Sequence, residues 1–230
     1  MVGIRLEKVN GLDHLAFSLP DGLFLNTASV MGSYLGGWAA LWTEDNLAEF
    51  PDHPFWNFSL DVYMSEGVGP AFLELQNAHE LDVNILLFCM WVGASGRGVL
   101  SKEQMATLTD AVYDWHNDVV RALRAVRVRM KGGLGTAPEA LGESLRQRIQ
   151  KTEIDCEHAE QLMLADAVDS AVDEGKMARD RIFDAVHNLS AYFSAFGSVS
   201  DTDRGHLAFI LNVVFPELDA SYAEEAVAAI

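Results

Sequence analysis

The chain has 230 residues, of which 50% are hydrophobic, and it carries a formal net charge of -18 at pH 7. The length fits a single domain with a sizeable core, and the charge disfavours general binding to nucleic acid or to an anionic membrane, because both are negative. The two cysteines, Cys89 and Cys156, form no CxxC motif or disulfide framework. This usage indicates a reducing compartment, so we expect a cytoplasmic protein.

Residues 1–50 differ from the rest because they show little helical periodicity and no convincing strand. Residues 23–42 lack charge, but Gly, Asn and Ser dilute their hydropathy and acidic residues precede them. They are therefore a poor transmembrane helix and a poor signal peptide, and a membrane or export segment is the less favoured alternative. We interpret residues 1–50 as a poorly ordered N-terminal arm, or as upstream sequence from a start codon assigned too early.

The segment around which the chain is organised runs from Leu81 to Gly98. Eight consecutive residues, 85–92, are apolar, which predicts a helix buried on all sides. Asp82 stands at the expected N-cap, and Gly93, Gly96 and Gly98 are expected to end the helix. A buried strand is the alternative, which the helical patterns on both sides disfavour.

Helical patterns continue on either side of this segment. The first begins near residue 52 with Pro54 in its first turn. Ser101 and Gln104 form a capping box before the clearest amphipathic pattern, which predicts one long helix or two helices joined near residues 115–117. A glycine-rich turn and Pro138 then predict an antiparallel return helix. We expect an all-α, single-domain helical bundle of six to eight helices over residues 51–216, with a weakly helical tail at 217–230.

Two motifs resemble those of a protein family. Residues 55–60 read FWNFSL, with a tyrosine at position 63, and residues 81–93 read LDVNILLFCMWVG. They resemble the F-W-x-F-S-L-x-x-Y and L-D-V-N-x-L-L-F-x-x-W motifs of a family of small, mainly proteobacterial proteins, and residues 115–124 and 153–160 resemble later segments of the same family. The similarity covers about residues 52–165. That family is a domain of unknown function, so the resemblance implies no activity, cofactor or catalytic residue, and residues 1–50 lie outside its usual pattern.

A first group of candidate binding residues places polar groups among large apolar ones. One interpretation is a pocket lined by Trp56 and Trp91 with Asp82 and Asn84 at its polar end. The favoured alternative is structural: Asp82 caps a helix, and the Asn84 amide pairs with backbone groups in the core. The candidates in this group are Trp56, Asn57, Ser59, Asp82, Asn84 and Trp91.

A second candidate is a pair of D-x-x-H segments on predicted helices. Asp155 and His158 share one helix face, as do Asp184 and His187, and a carboxylate and an imidazole so placed can bind a metal ion. In a chain with 34 acidic residues and seven histidines such pairs also arise by chance. We therefore favour a solvated acidic face and expect neither a metal nor another cofactor.

A third candidate is the sequence Asp114-Trp115-His116, which contains an acid and a base. Neighbouring residues in a helix point in different directions, so we do not expect catalysis here. Trp115 belongs to the apolar stripe and is kept only as a candidate binding residue.

A fourth candidate is the basic patch formed by Arg121, Arg124 and Arg127, with Arg129 and Lys131 beyond them. Such a face is suited to docking an acidic protein or a phosphate group. The alternative is neutralisation by Glu139 and Glu143 on the return helix. Aromatic residues do not interleave with these bases, which disfavours single-stranded nucleic acid.

The sequence contains no GxSxG, P-loop, GxGxxG or HExxH motif. We therefore predict a non-enzymatic interaction or regulatory protein with an unidentified protein partner, and no nucleic-acid or membrane partner. The alternatives are a metal-dependent helical-bundle enzyme with a carboxylate/histidine site, or a small-molecule binder with a Trp-lined pocket.

Overall fold

The computed structural model describes residues 3–9, 12–18, 50–133, 135, 138–168 and 170–230, which fall into two compact units, Met1–Glu49 and Phe50–Ile230. In the first unit, β1 (Gly3–Val9) pairs antiparallel with β2 (Leu12–Ser18), with Val9 opposite Leu12. The sequence pattern predicts no strand in this region. The rest of the expected N-terminal arm lies outside the described residues.

The second unit is helical throughout its described residues, which confirms the all-α class. Its elements are α1 (Pro54–Tyr63), α2 (Val68–His79), α3 (Val83–Ala94), α4 (Lys102–Trp115), a π-helical segment (His116–Val120), α5 (Arg121–Arg129), α6 (Glu139–Ala167), α7 (Ala178–Phe193), α8 (Asp201–Val214) and α9 (Ala220–Val227). Because α4, the π segment and α5 are continuous, the described part of this unit contains eight helical rods, within the predicted range. None of these rods combines the length and the hydropathy that crossing a bilayer requires.

Helix α3 is the central helix, as its apolar run predicts. Every residue from Asn84 to Gly93 is buried, and α3 packs most closely against α7. The expected role of Gly93 is wrong: it lies inside the helix, where an added Cβ would stand 2.4 Å from the Ala185 nitrogen. Gly93 therefore permits the close approach of α7, while Gly96 and Gly98, at φ +77° and +89°, carry the chain out of the helix.

The helix starts follow the capping residues in the sequence. The Asp82 carboxylate accepts a hydrogen bond from the Asn84 backbone N–H at 2.8 Å. Ser101 and Gln104 form both hydrogen bonds of a capping box. Each cap satisfies a backbone donor that the first turn leaves without an intrahelical partner.

Helices α4 and α5 lie antiparallel to α6. The π-helical segment starts at His116, where the sequence pattern places a possible join between two helices. No residue of α5 is buried, and the buried residues of α6 begin only at Glu153. The far end of this pair, residues 121–133 and 138–152, is therefore a two-helix projection, which we call the helical arm.

The C-terminal residues differ from the expected tail. Helix α9 buries Ala223, Ala226 and Val227 and packs against α8 and α7. The compact unit accordingly extends to Ile230 instead of ending at residue 216. Small residues spaced three and four apart form the apolar face of α9, and they give only a weak signal in the sequence.

Candidate functional site

Three ionisable side chains meet where α3, the π-helical segment and α6 come together. Asp82 precedes α3, His116 opens the π segment, and Glu160 lies in the second half of α6. The His116 Nδ1 atom is 3.0 Å from Asp82 Oδ2 and 3.0 Å from Glu160 Oε1. We call these three residues the carboxylate–histidine cluster.

Neighbouring side chains hold the two carboxylates in place. Asn84 donates from Nδ2 to Glu160 Oε2 at 2.9 Å, and Gln161 donates from Nε2 to Asn84 Oδ1 at 2.8 Å. The Asp82 backbone N–H donates to the Tyr192 hydroxyl at 3.0 Å. The orientation of each carboxylate is therefore set by groups outside the cluster, as is usual around a preorganised site.

The cluster is largely shielded from solvent. Asp82 is 5% exposed and Glu160 is fully buried, while the His116 side chain is 12% exposed. The imidazole hydrogen bond runs to Glu160, and the buried Asp82 Oδ2 forms an ion pair with the same Nδ1 atom at 3.0 Å. A single Nδ1–H group thus faces two buried carboxylate oxygens and can donate well to only one of them, so the cluster offers oxygen ligands to a further cation.

The electrostatics of the cluster favour retention of protons. Burial opposes charging of His116, but its contacts with Asp82 and Glu160 outweigh burial and raise the pKa of His116 to about 9. Burial, together with the nearby Asp82 charge, raises the pKa of Glu160 to about 8. Burial also opposes ionisation of Asp82, but contacts with His116 and Glu160 prevail and lower its pKa. At neutral pH the cluster thus holds one proton on His116 and one on Glu160.

The same geometry fits a metal ion. One nitrogen and two oxygen atoms lie within 4.8 Å of one another, and among the described residues no other group of three His, Cys, Asp or Glu side chains does so. Ligands at about 2.1 Å from a metal and 90° apart are separated by about 3.0 Å. Both Nδ1-to-oxygen distances have this value.

A small cavity of about 170 Å³ adjoins the cluster, and His116 forms part of its wall. The other lining residues are Gln76, Asn77, Glu80, Leu81, Arg121 and Arg124. This polar cavity gives a small molecule or ion access to the histidine side of the cluster.

The family model described as "Protein of unknown function (DUF2390)" matches residues 54–164. The match spans just under half of the chain, and we refer to these residues as the DUF2390 domain. The match confirms the resemblance found in the sequence. No curated protein matches the chain, and no solved structure matches it.

All three members of the carboxylate–histidine cluster lie inside the DUF2390 domain, and so do Asn84 and Gln161. Tyr192, which binds the Asp82 backbone, lies beyond it. The matched segment therefore contains the complete candidate site, and the helices after it support the site from outside.

Within the first group of sequence candidates, the structure brings Asp82 and Asn84 to this site. Asp82 is a cap, as the structural interpretation predicts, but its second oxygen also belongs to the cluster. Asn84 pairs with side chains of α6, whereas the sequence interpretation assigns it backbone partners.

The two tryptophans of the hypothetical pocket pack against different partners. Trp56 stacks on His158 with ring centroids 4.0 Å apart. Trp91 packs against Phe55 and Phe88 in the core. Neither tryptophan lines the cavity beside His116. Of the remaining candidates in this group, Asn57 is exposed, and Ser59 is buried in α1.

The D-x-x-H segments are also separated. His158 is stacked between aromatic neighbours, and Asp184 forms an ion pair with Lys176. His187 is exposed and bonds the carbonyl group of Phe183. The metal-type grouping in the described residues thus lies elsewhere, at Asp82, His116 and Glu160.

Two of the three candidate arginines form ion pairs within the domain. Arg124 binds Glu153 and Glu157, and Arg127 binds Glu153. The neutralising acids therefore lie further along α6 than Glu139 and Glu143, the predicted partners, and Glu143 pairs instead with Arg146. Arg121 bonds a side-chain amide, that of Asn117, at 3.3 Å.

Sequence reasoning considered His116 only as a partner of Asp114 and set it aside, and it did not select Glu160. The sequence pattern suggests Asp114, two residues away, as the partner of His116. In the structure the partners are Asp82 and Glu160, which lie in two other segments. Trp115 lies next to the site and donates from Nε1 to the Cys156 carbonyl oxygen at 3.0 Å. The available signal was the possible join between two helices near residues 115–117, which is where the π-helical segment begins, and π-helical turns often occur at functional sites.

Proposed function

We propose that the DUF2390 domain binds a divalent transition-metal ion through Asp82, His116 and Glu160. The observation that carries this proposal is the convergence of three largely buried ligand atoms, since Asp82 Oδ2 and Glu160 Oε1 each lie 3.0 Å from His116 Nδ1. A metal ion between the three ligand atoms would bind both oxygens and replace the protons on Glu160 and His116.

Charge balance supports the replacement of two protons by one divalent metal ion. With Asp82 ionised, Glu160 protonated and His116 positively charged, the metal-free cluster is neutral. Loss of both protons leaves two carboxylates and a neutral imidazole, whose charge of -2 a divalent ion cancels. The buried site would therefore take up the metal without a change in its net charge, and Asn84 would continue to orient Glu160.

The donor set narrows the class of metal. Imidazole and carboxylate ligands without a thiolate suit Mn²⁺, Fe²⁺ or Zn²⁺. Three protein ligands would leave coordination positions open for water or another small ligand, and a polar cavity adjoins His116. This arrangement is compatible with metal-dependent chemistry on a small polar molecule.

Calorimetric titration of chelator-treated protein with Mn²⁺ and Zn²⁺ tests the proposal. We expect one ion per chain at pH 7, with roughly two protons released when the titration is repeated in buffers of different ionisation enthalpy. Elemental analysis after anaerobic reconstitution with Fe²⁺ extends the test to that metal. Failure of all three ions to bind stoichiometrically would reject the proposal.

Matched variants locate the site. Glu160→Gln and Asp82→Asn should each weaken binding by at least about tenfold, since each removes an anionic ligand. Asp155→Asn, on a residue of α6 outside the cluster, should leave the titration unchanged. Equal losses in all three variants would assign binding to the general acidity of the chain.

A second candidate function is the interaction or regulatory role expected from the sequence. It is supported by the excess of Lys and Arg in the helical arm, where residues 121–152 hold eight bases and two acids. A cytoplasmic location remains part of this proposal, supported by the free thiols of Cys89 and Cys156.

A further inference from the structure

The helical arm differs in charge from the rest of the chain. Residues 121–152 contain eight Lys and Arg residues and two acids, although the whole chain has a net charge of -18. The bases are Arg121, Arg124, Arg127, Arg129, Lys131, Arg146, Arg148 and Lys151. A positive surface of this kind on an acidic protein attracts negative partners.

Much of this charge remains available. In the described part of the chain, three bases of the arm form ion pairs with carboxylates: Arg124, Arg127 and Arg146. The other five bases are exposed and form no ion pair in the described part of the chain. These are Arg121, Arg129, Lys131, Arg148 and Lys151.

The arm also exposes aliphatic side chains. Leu141 is 62% exposed and Leu145 is 50% exposed, one turn apart on the same side of α6. Val126 on α5 is 48% exposed. These residues belong to apolar stripes that a pair of helices alone covers incompletely, so a third helix would complete the packing.

Cations flank these aliphatic residues at helical spacing. Arg148 lies one turn beyond Leu145, and Arg129 lies one turn beyond Val126. On each helix of the arm the exposed aliphatic residues are thus bordered by positive charge, which matches a helix with leucines on one face and glutamates or aspartates beside them. From this charge complementarity we propose that the arm docks an acidic amphipathic helix of a partner protein.

Two other occupants match these features less well. Pairing with the arm of a second copy would bring two positive surfaces together. Nucleic acid would use the cations but not the aliphatic side chains.

Fluorescence anisotropy with the full chain tests the proposal. The probe is a labelled synthetic helix of about 18 residues, with leucine at i, i+3, i+4 and i+7 and glutamate at the other positions. The control probe has lysine in place of glutamate. We expect the acidic helix to bind at least roughly tenfold more tightly than the basic one. Absence of binding, or equal binding of both probes, would overturn the proposal.

Paired substitutions locate the surface. Arg148→Glu with Lys151→Glu should weaken binding at least about tenfold, and Leu141→Ser with Leu145→Ser should do the same, while circular dichroism stays unchanged. Lys102→Glu and Met64→Ser are the controls, because both residues are exposed and lie outside the arm. A loss with the charge variant alone would show only electrostatic attraction and overturn the proposal.

Two further measurements address the competing occupants. Duplex DNA that displaces the acidic helix more effectively than an unlabelled copy of that helix would identify a nucleic-acid surface. Sedimentation that shows a dimer broken by the leucine variant would identify a second copy of the chain. Either result would replace the proposed partner, and we expect neither.

Discussion

The Trp115 indole nitrogen donates a hydrogen bond to the Cys156 carbonyl oxygen at 3.0 Å. Trp115 immediately precedes His116 in the chain, and Cys156 lies one turn before Glu160 in α6. The bond therefore joins two of the three segments that supply the carboxylate–histidine cluster. It holds α4 in register with α6 at the level where His116 meets Glu160.

Replacing Trp115 by phenylalanine should lower the free energy of unfolding by about 1 kcal/mol, because an aromatic ring remains but the hydrogen bond is lost. The affinity for Mn²⁺ should also fall several-fold, since the register of His116 against Glu160 loosens. Urea unfolding and calorimetric titration measure the two effects. Trp56→Phe is the control: it alters a ring stacked on His158, so stability changes while metal affinity does not.

The sequence predicted the parts of the fold that depend on local pattern. The run at 85–92 identified the buried helix, and the residue types at positions 82 and 101 identified two helix starts. Leu141 and Leu145 recur at helical spacing, which correctly predicts a helix. Periodicity identifies the apolar face of a helix, but it does not identify the element that packs against that face. Both leucines are at least half exposed because no described helix packs over them.

The site was less predictable because its members are far apart in the chain. His116 and Glu160 are 44 residues apart. Their meeting depends on the register of two helices and on a π-helical segment, neither of which a periodicity count provides. The β1–β2 hairpin is a different case, because the Asn-Gly pair at positions 10 and 11 is a known hairpin signal that the helical periodicity count does not measure.

In the metal-free protein the free energy of unfolding should fall as the pH rises from 7 to 9. The folded-state pKa values of His116 and Glu160, about 9 and about 8, lie above their ordinary values of 6.5 and 4.5. The folded chain therefore binds more protons than the unfolded chain in this range, and each extra proton contributes a slope of about 1.4 kcal/mol per pH unit. His53 and His158, whose pKa values are lowered by burial, are mostly neutral in both states above pH 7 and oppose the trend only weakly.

Urea unfolding at pH 7, 8 and 9 in the presence of a chelator measures this slope. Glu160→Gln should make it shallower between pH 7 and 8, because the variant has no proton to lose at that position. Asp155→Asn serves as the control and should retain the slope of the original chain. A stability that is constant or rises with pH in this range would contradict the electrostatic description of the cluster.

Substituting Gly93 by alanine should destabilise the domain by about 3 kcal/mol, at the upper end for overpacking. The new Cβ would stand 2.4 Å from the Ala185 nitrogen and 2.6 Å from its Cα, so α3 and α7 would have to move apart. Gly142→Ala in α6 is the matched control, since nothing lies within 4 Å of its added Cβ. Thermal unfolding should show a lower Tm for the first variant and a slightly higher Tm for the second, because alanine favours a helix. Equal Tm values would disprove the close approach at Gly93.

A chain that begins at Phe50 should fold with nearly the melting temperature of the full chain. Residues 50–230 contain their own core, whose buried hydrophobic side chains extend from Phe55 to Val227. Starting at Phe50 keeps its ring on His158, at a centroid distance of 5.1 Å, whereas a start at Asp52 would remove that contact. Differential scanning calorimetry of the two shortened chains and the full chain separates the effects.

A large fall in Tm for the chain that starts at Phe50 would show that residues 1–49 stabilise the helical unit. A small fall seen only for the start at Asp52 would measure the contribution of the Phe50 ring.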